Sequence, residues 1–434
     1  MVLESVRFGT SFLARRKELT LDSSQFTVIT AAEFSDFVAT RDDVHFQQTK
    51  AFGDLQDSLG HQPFYLAVKN DKTIVAAMLV TLAKVRFGYL AEAHGNPYFS
   101  TVANDNQLLV SGAKALLKKQ GVLKLITHSN QMIEKYDDNW EKVGEFNQDL
   151  DAFYQGLGFL EGHLSDFEKG FNYNYSKTLT GFENFAKLEK SYKKNGLQTI
   201  KKARKLGIQV YEASYDELAD FKKVVDEAGE RRNFSTRDLS YYQAVYQAFG
   251  DRVKFVLAKL NFQTELVANQ SELAGVHKEI EQAQAQNKKK SLDTLHQRVS
   301  RLEKFQTELQ KLAEMHGDQD VILAAAQFFI MPNDILYMFS GMYDEYREFS
   351  APFLIQDYML QYAFAHHIDH YHFMGVNAPD NPDQGVLKFK QNFKGYIWQS
   401  SGNYELVVKP ILNKMTEILK AVIKREKAVV YHEI

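Results

Sequence analysis

Residues 262–316 read FQTELVANQSELAGVHKEIEQAQAQNKKKSLDTLHQRVSRLEKFQTELQKLAEMH, and this segment sets the organisation of the whole chain. Apolar residues recur at seven-residue intervals in both of its halves, at Leu266, Leu273 and Ile280 and again at Leu295, Leu302 and Leu309. The centre, residues 282–290, is polar and ends in three lysines. A seven-residue apolar repeat on both sides of a polar tip predicts two antiparallel helices that form a coiled-coil arm.

Strand-like segments flank this arm. Residues 253–260 and 321–330 are rich in β-branched and aromatic residues, as strands are. The arm is therefore inserted between two strands, and we expect it to project from the body. The alternative is a helix pair that packs along the surface. Charged residues at most positions outside the apolar seam favour projection.

The rest of the chain alternates helices and strands, which is the pattern of an α/β fold with mixed sheets. Helices are predicted at residues 31–39, 46–59, 103–119, 145–157, 182–206 (with a possible break at Gly196), 215–228, 240–249 and 353–365. Strands are predicted at residues 64–68, 73–82, 122–126, 208–213, 253–260, 321–330, 335–339 and 370–376. Two similar α/β halves explain this order most simply. We expect a first domain at residues 1–155, a second at 156–399 that carries the arm at 262–316, and a tail with a helix at 400–434.

Composition excludes several classes of protein. The 434 residues include 52 Lys and Arg against 55 Asp and Glu, so a generally basic nucleic-acid coat protein is excluded. The absence of Cys excludes disulfides, cysteine-bound zinc, Fe–S clusters and cysteine nucleophiles. No apolar run reaches the ~18 residues of a membrane span. Residues 1–19 lack the apolar core of a signal peptide, so we expect a cytoplasmic protein that can still touch a membrane surface.

Glycine-rich motifs for cofactors are weak in this chain. Gly156 and Gly158 with Gly162 imitate a dinucleotide fingerprint, but the third glycine is one place late and the motif leads into a strand. Residues 153–159 (FYQGLGF) instead resemble the end of an acetyltransferase-type (GNAT) fold. The Gln/Arg-x-x-Gly-x-Gly/Ala loop that holds the pyrophosphate of coenzyme A is missing. We therefore expect no acyl-CoA donor and no cofactor.

Four histidines cluster near one acidic residue, at His366, His367, Asp369, His370 and His372. A spacing of four residues on a helix suits metal ligands. No H-E-x-x-H motif is present, and the segment after residue 369 is predicted as a loop that enters a strand. We therefore expect no metal site in this chain, and we interpret these histidines as surface or partly buried side chains.

The densest charge lies in residues 187–205. Eight of these side chains are basic and one is acidic: Lys187, Lys190, Lys193, Lys194, Lys201, Lys202, Arg204 and Lys205 against Glu189. Such a stripe in a nearly neutral chain favours contact with phosphates, either of a nucleic acid or of a diphosphate head group. The alternative is a solvated lysine-rich helix. Lys288, Lys289 and Lys290 at the arm tip form a weaker version.

Two further groups are candidates for ligand contact. Tyr337, Phe339 and Tyr343 lie close to Arg347 in the sequence and are candidates either for hydrogen bonds to a polar ligand or for core packing. Phe389 and Phe393 could pin a strand or turn so that Lys390 points to the opposite side. A lysine held in this way stabilises negative charge on a reacting carbonyl oxygen. A surface lysine is the simpler alternative from spacing alone.

Several strings in this order resemble the Fem family of peptidyl transferases, of the FemA and MurM type, over about residues 32–403. They are HFQQT at 45–49, TIKKARKLG at 199–207, FSTRD at 234–238 with Tyr241 and Tyr242, the helical arm, Tyr346 and Arg347 with Phe349, residues 370–376 and VLKFK at 386–390. The resemblance implies two GNAT-like domains with a coiled-coil arm. It also implies transfer of an amino acid from aminoacyl-tRNA to the side-chain amine of a peptidoglycan precursor. The acceptor is lipid II or UDP-MurNAc-pentapeptide, and neither metal nor coenzyme A is required.

The resemblance also implies roles for individual residues. Lys390, next to Phe389, would stabilise the oxyanion. Arg237 and Tyr241 would grip the phosphates of the precursor, with Ser235 as an adjacent contact. Strand tyrosines of the family correspond to Tyr337 and to Phe339, which lacks the hydroxyl; Tyr343 is a further candidate. The basic residues Lys193, Lys194, Lys201, Lys202, Arg204 and Lys205 would meet tRNA or a lipid diphosphate.

One departure from the family pattern concerns the acceptor. Some members place a lysine where this chain reads DLQ at residues 54–56, which favours lipid II over a soluble precursor. The transferred amino acid stays open among Ala, Ser and Gly. We expect direct attack of the amine, without an acyl-enzyme. Two other functions stay open: a non-catalytic adaptor that binds tRNA or a membrane surface, and an acyl-CoA-dependent N-acetyltransferase.

Overall fold

The computed structural model describes residues 24–85, 87–162, 172–232, 235–286, 289–381 and 383–419. Its strands are β1 (Gln25–Val28), β2 (Gln62–Asn70), β3 (Thr73–Val85), β4 (Gly88–His94), β5 (Val122–Tyr136), β6 (Lys142–Glu145), β7 (Leu160–Glu161), β8 (Tyr173–Thr178), β9 (Gln209–Glu212), β10 (Val253–Asn261), β11 (Asp320–Ile330), β12 (Asp334–Met342), β13 (His370–Val376) and β14 (Tyr396–Val407). In these parts of the chain all the strands join one mixed sheet, which confirms the predicted α/β fold.

The α-helices that the structure describes with full bounds are α1 (Ala31–Val38), α2 (Lys50–Ser58), α3 (Ala103–Lys119), α4 (Leu150–Gly156), α5 (Phe185–Lys190), α6 (Lys194–Ala203), α7 (Leu218–Arg232), α8 (Leu239–Phe249), α9 (Phe262–Ala285), α10 (Lys289–His316), α11 (Ala351–Ala365) and α12 (Gly385–Gln391). A further helix covers residues 410–419. Among the described helices, none combines the length and the apolar character needed to cross a membrane.

The sheet contains the same arrangement twice. Its order is β1-β2-β3-β4-β5-β14-β8-β13-β12-β11-β10-β9, with β6 beside β5 and β7 beside β14. In the N-terminal half, antiparallel strands lead to the parallel pair β4 and β5. In the C-terminal half, antiparallel strands lead to the parallel pair β12 and β13. The two halves therefore meet in the middle of one continuous sheet.

Strand β14 joins the two halves. Its first residues pair with β8, and its length from Ile397 to Val407 pairs with β5. The domain boundary predicted at residue 400 thus falls inside a strand. Tyr404 and Leu406, beyond that boundary, are buried in the core of the N-terminal half. A pairing between segments more than 250 residues apart leaves no local signal in the sequence.

A shared apolar core also holds the halves together. Phe46 of the N-terminal half stacks on Phe329 of β11, with ring centroids 4.2 Å apart and planes at 14°. Phe52 and Phe249 belong to the same buried cluster. Phe34 and Phe255, from opposite halves, are both fully buried in it. Apolar burial of this extent makes the relative position of the halves part of the fold.

The helical hairpin of α9 and α10 lies between β10 and β11, at the predicted place in the chain. Near its base, Leu266 and Leu309 belong to the core of the C-terminal half. Farther out the two helices form a separate cluster of their own, with Leu273, Val276, Ile280, Leu292, Leu295, Val299 and Leu302. Arg298 also pairs with Glu272 at 2.7 Å across the hairpin. An outer cluster separate from the body favours a projecting arm, and its coiled-coil character stays a prediction.

Three sequence expectations differ from the structure. The predicted helix at 145–157 is shorter in the structure: Glu145 ends strand β6, which pairs with β5, and the helix α4 covers only Leu150–Gly156. The predicted helix at 182–206 breaks at residues 191–193 and not at Gly196. The segment around Lys390 is the helix α12, where a strand or turn was predicted. Each difference follows from tertiary contacts that outweigh local propensity.

Candidate active site

The strands β12 and β13 part soon after they meet. They pair in parallel only from Asp334 with His370 to Leu336 with His372. Beyond this point, the register of β13 against β8 shifts between His372 and Met374, and Met374 has a φ of 61°. A positive φ is uncommon for a residue with a side chain and marks a local distortion. The distortion therefore lies just beyond the point where β13 stops pairing with β12.

The side-chain amine of Lys390 contacts the backbone of this distorted segment of β13. Its Nζ donates hydrogen bonds to the carbonyl oxygens of Met374 at 3.0 Å and of Gly375 at 2.6 Å. Consecutive carbonyls of an extended strand point in opposite directions. The left-handed conformation of Met374 breaks this alternation, and so one amine reaches both oxygens. The predicted key lysine is therefore held where the parallel strands separate.

Aromatic packing fixes the helix that carries Lys390. Phe389 contacts Phe353 of α11 edge to face at 5.0 Å and lies 5.8 Å from Phe393. Phe393 is fully buried. Gln391 donates a 2.7 Å hydrogen bond to the carbonyl oxygen of Asp138, so the helix is also tied to the N-terminal half. The phenylalanines anchor one side of α12, and Lys390 extends toward β13.

Burial changes the charge of Lys390. Only 5% of the residue is exposed. Desolvation lowers the pKa of its ammonium from the ordinary 10.5 to about 7, and the positive charge of Arg232 adds to the decrease. In the charged form, two N–H groups point at the carbonyls of β13, and the third has no hydrogen-bond acceptor among the described residues. This geometry suits stabilisation of a developing oxyanion.

A β-bulge separates two of the predicted site residues. Between β11 and β12 the register shifts so that Met338 and Phe339 face the single residue Gln327. Tyr337 consequently packs in the core of the C-terminal half and donates a 2.6 Å hydrogen bond to Ser340. Phe339 packs in the core shared between the halves. The structure therefore brings Tyr337 and Phe339 into different clusters.

The predicted phosphate-binding residues form a contiguous group. The guanidinium of Arg237 lies 5.2 Å from the ring centre of Tyr241, which in turn lies 6.3 Å from the ring of Phe339. Arg237 and the neighbouring Ser235 are exposed. Tyr343 is partly buried and contacts the apolar clusters of both faces. An exposed cation above an aromatic ring is a suitable contact for an anionic ligand.

The basic stripe extends from α5 through α6 to residue 205, and α6 packs against the segment that follows Lys390. The Cβ that Ala would place at residue 196 would lie 2.7 Å from the carbonyl oxygen of Asn392, so only Gly fits there. The backbone N–H of Lys193 also donates to this oxygen, at 2.9 Å. The predicted phosphate-binding helix is thus in direct contact with the segment that follows Lys390.

The six predicted basic residues are exposed but not equivalent. Arg204 pairs with Glu189 at 2.6 Å and with Asp357 at 2.5 Å, and Lys193 pairs with Asp138 at 2.8 Å. No ion pair within the described ranges involves the other four, which are Lys194, Lys201, Lys202 and Lys205. These four lysines are the better candidates for phosphate contact. The side chains of Lys288, Lys289 and Lys290 lie outside the described residues.

A pocket of about 460 Å³ opens beside Arg204. Phe185, Leu354 and Tyr358 line it together with the carboxylates of Glu189 and Asp357. Burial raises the pKa of the Asp357 carboxyl, although the adjacent guanidinium opposes this shift. The carboxylates of Glu189 and Asp357 already pair with the guanidinium of Arg204, and their negative charge makes this pocket unsuitable for phosphate.

His366 and His367 are exposed and His370 and His372 are partly buried, which agrees with the interpretation from the sequence. His366 stacks on Tyr362 at 3.9 Å, at the end of α11. His372 instead lies between Asp334, at 2.8 Å, and the hydroxyl of Ser176, at 2.7 Å. Ser176 is fully buried, so this chain of polar groups is a structural link between β8, β13 and β12.

Sequence reasoning missed several polar groups that the structure places near the site or in an equivalent position. Arg232, whose charge acts on Lys390, stands at the end of a helix in an Arg-Arg pair that gave only a weak signal. Lys177 is buried and donates to Ser191 and to the carbonyl oxygen of Lys394, each at 2.9 Å. Glu92, His94 and His128 come together at the other parallel pair, β4 and β5.

Comparisons with known proteins agree with this architecture. The FemAB family model matches residues 29–421. The aminoacyltransferase FemA of Staphylococcus epidermidis is 26% identical over 428 residues, which cover 93% of this chain and 100% of that protein. The aminoacyltransferase FemA of Staphylococcus aureus is 28% identical over 433 residues, with 93% and 99% covered. A crystal structure of FemX matches with a TM-score of 0.73 at 19% identity, covering 90% of this chain and 99% of that one, and shows a shared fold.

Proposed function

The chain belongs to the FemAB family and is an aminoacyltransferase, and from this premise we propose that it transfers Ala, Ser or Gly from aminoacyl-tRNA to a peptidoglycan precursor. The acceptor is the side-chain amine of the stem peptide, in lipid II or in UDP-MurNAc-pentapeptide. The product is part of the interpeptide bridge of the cell wall. The reaction takes place in the cytoplasm, and peripheral contact with the inner membrane face gives access to lipid II.

The proposed step is direct aminolysis of an ester. The acceptor nitrogen attacks the aminoacyl carbonyl carbon, and the carbonyl oxygen becomes an oxyanion. The charged amine of Lys390 donates its third N–H to this oxygen while Met374 and Gly375 hold the other two. The intermediate then collapses: the C–N bond remains, the C–O bond to the ribose breaks, and the proton lost by the amine goes to the ribose oxygen. The ester is already activated, so positioning supplies much of the remaining acceleration.

The exposed groups divide between the two substrates. Arg237, Tyr241 and Ser235 contact the phosphates of the precursor, with Tyr343 nearby as a polar contact. Tyr337 and Phe339 lie in different clusters, so we assign them different roles. Phe339 lines the precursor site beside Tyr241, and Tyr337 supports the sheet from the core of the C-terminal half. The lysines of α6 contact the tRNA backbone.

The observation that carries the proposal is the placement of Lys390. A buried amine held by two backbone carbonyls at the point where two parallel strands separate has the form of an oxyanion site. The repeated strand arrangement supports the acetyltransferase-type description of each half.

The test is a transfer assay with purified components. The full chain is incubated with Ala-, Ser- or Gly-tRNA and with lipid II or UDP-MurNAc-pentapeptide, and mass spectrometry follows the stem peptide. Lys390→Met removes the proposed donor. Lys388→Met is the matched control, because Lys388 is an exposed lysine on the same helix.

The proposal requires a mass gain of one amino acid that Lys388→Met retains and Lys390→Met loses. No gain with any donor and acceptor would favour the non-catalytic adaptor. A gain with acetyl-CoA in place of charged tRNA would favour the N-acetyltransferase. Trapping of an aminoacyl-enzyme in a single turnover would exclude direct attack.

A further inference from the structure

Three metal-binding side chains meet at the parallel strands of the N-terminal half. Glu92 and His94 are two residues apart on β4, so their side chains lie on the same face of the sheet. His128 on β5 is directly opposite His94 in the register. One ligand atom from each of the three side chains lies within 4.8 Å of the other two. The fold therefore gathers two imidazoles and a carboxylate at one point.

The distances match the edges of a small coordination polyhedron. The Nε2 atom of His128 lies 3.3 Å from one carboxylate oxygen of Glu92, and the Nε2 atom of His94 lies 3.5 Å from the other. Zinc binds nitrogen and oxygen at about 2.0–2.2 Å, so neighbouring ligands in a tetrahedron are about 3.3–3.5 Å apart. The two distances from Glu92 thus match the edges of a tetrahedral site, and the ligand atoms of the two histidines lie within 4.8 Å of each other.

A second residue fixes the orientation of one imidazole. The Nδ1 atom of His128 lies 2.9 Å from the Oδ1 atom of Asn403, on β14. Nδ1 donates to this oxygen, and the ring then presents Nε2 toward Glu92. In metalloproteins the second ring nitrogen of a ligating histidine commonly makes such a bond. The backbone of His94 is held as well, because Gln48 donates to its carbonyl oxygen at 2.7 Å.

Without a cation, this arrangement of the three side chains is electrostatically unfavourable. The two imidazole rings stack 4.7 Å apart with planes at 6°. A neutral His128 that donates through Nδ1 has an unprotonated Nε2, which then faces the oxygen acceptor of Glu92. Two positively charged rings in this stack would repel each other instead. A divalent cation between the three groups satisfies all three acceptors once one imidazole turns out of the parallel stack, so that both ring lone pairs point at the cation.

We propose that Glu92, His94 and His128 bind one divalent cation of the zinc class, with a fourth position open to water or a ligand. Two imidazoles and a carboxylate form a ligand set that suits Zn²⁺. The three side chains are between 22% and 24% exposed, so solvent reaches the site. The cation links β4 and β5 directly and β14 through Asn403. This site lies at the parallel strands of the N-terminal half, whereas Lys390 lies in the C-terminal half. The proposed transfer step does not use the cation.

The test measures binding and not transfer. The full chain is stripped with a chelator and dialysed against Zn²⁺, and bound metal is counted by elemental analysis. Co²⁺ is used as a spectroscopic probe, since visible bands report a tetrahedral environment. The variants are His128→Gln and Glu92→Gln, and the control is His296→Gln, which changes an exposed histidine of the arm.

The proposal expects one Zn²⁺ per chain, a tetrahedral Co²⁺ spectrum and a higher melting temperature with metal. Affinity should fall at least tenfold in both site variants and stay unchanged in His296→Gln. Asn403→Ala should weaken binding by about 10–100-fold, because the outer hydrogen bond orients His128. A wild-type chain that binds no metal, or binding that survives in both site variants, would show that Glu92 only pairs with two histidines. The wild-type spectrum keeps the test decisive even if a variant fails to fold.

Discussion

The Nζ atom of Lys390 lies 2.6 Å from the carbonyl oxygen of Gly375, at the place where β13 has left β12. One buried amine thereby joins the helix α12 to a strand of the sheet. The contact has two consequences. It places a hydrogen-bond donor at the point where β12 and β13 stop pairing. It also makes the pKa of that donor depend on the burial of the helix α12.

The pH dependence of transfer should show the charge state of Lys390. The proposed donor must be protonated, whereas the acceptor amine, with an ordinary pKa of about 10.4, must be unprotonated. Since the pKa of Lys390 is about 7, the turnover rate should rise about tenfold per pH unit below about pH 7 and level off above it. Single-turnover rates across this range measure the effect.

Lys390→Arg is the matching variant, because a guanidinium stays charged at these pH values. Its rate should be lower overall and should continue to rise through about pH 7 to about pH 9. A wild-type rate that also continues to rise above about pH 8 would show that the reaction does not need a charged Lys390.

Stability should depend on pH through the same group. The folded state lowers the pKa of Lys390 to about 7 from 10.5, so between these values the unfolded chain binds more protons. The free energy of unfolding therefore increases with pH in this window, and below about pH 7 the full penalty of a buried charge applies. Relative to Lys390→Met, the wild type should gain up to about 1.4 kcal/mol per pH unit. Urea unfolding at several pH values measures this difference, and a difference that is constant with pH would contradict the shifted pKa.

Close packing of α6 against the segment after Lys390 should make residue 196 intolerant of a side chain. Gly196→Ala places a Cβ at 2.7 Å from the carbonyl oxygen of Asn392. We expect a loss of about 1–3 kcal/mol in the free energy of unfolding and a lower transfer rate, because the helix carrying Lys390 must shift.

Gly275→Ala is the control for this change. Gly275 lies within the arm helix α9, and a Cβ added at this residue would meet no neighbouring atom within 4 Å. Helix propensity should make this variant more stable by up to about 1 kcal/mol. Equal destabilisation in the two variants would mean that the contact with Asn392 is unimportant.

The exposed lysines of α6 should contribute to tRNA affinity through phosphate contacts. The double change of Lys201→Ala and Lys202→Ala should weaken binding of aminoacyl-tRNA and reduce the slope of log affinity against log salt by about 0.7–0.9 per lost contact. Lys304→Ala, on the exposed face of the arm, should change neither quantity. Filter binding over a range of salt concentrations measures both. An unchanged slope in the double variant would remove α6 from the tRNA site.

Arg237 should affect binding of the precursor more than catalysis. Arg237→Ala removes the cation above Tyr241 and should raise KM for the precursor by about tenfold, which corresponds to the loss of one hydrogen bond to a charged group, with little change in kcat. Arg252→Ala, which also removes an exposed arginine of the C-terminal half, should leave KM unchanged. A change in kcat alone would place Arg237 in the chemical step instead.

Local patterns in the sequence predicted much of the secondary structure. The helix at residues 103–119 has the predicted bounds, and β10 differs by one residue at one end. The seven-residue repeat also located the hairpin of α9 and α10. These features depend on periodicity within one segment, and so a single sequence is enough to detect them.

The site was predicted in part. Lys390 was chosen because the chain resembles a family, and spacing alone favoured a surface lysine. Its buried contacts are with the carbonyls of Met374 and Gly375 on a distant strand, which no short motif encodes. Tyr337 and Phe339 were both predicted as ligand contacts, but they lie in different clusters, since the extra residue of the β-bulge moves one side chain to the other face of the strand.

The sequence by itself determined the α/β class, the inserted helical arm, the basic stripe on residues 187–205 and the absence of cysteine chemistry. Tertiary structure alone decided that β14 joins both halves, that Lys390 meets Met374 and Gly375, and that Glu92, His94 and His128 converge. The physical reason is the range of the interactions. Helix periodicity and charge density act between near neighbours, whereas strand register brings together residues that are tens to hundreds of positions apart.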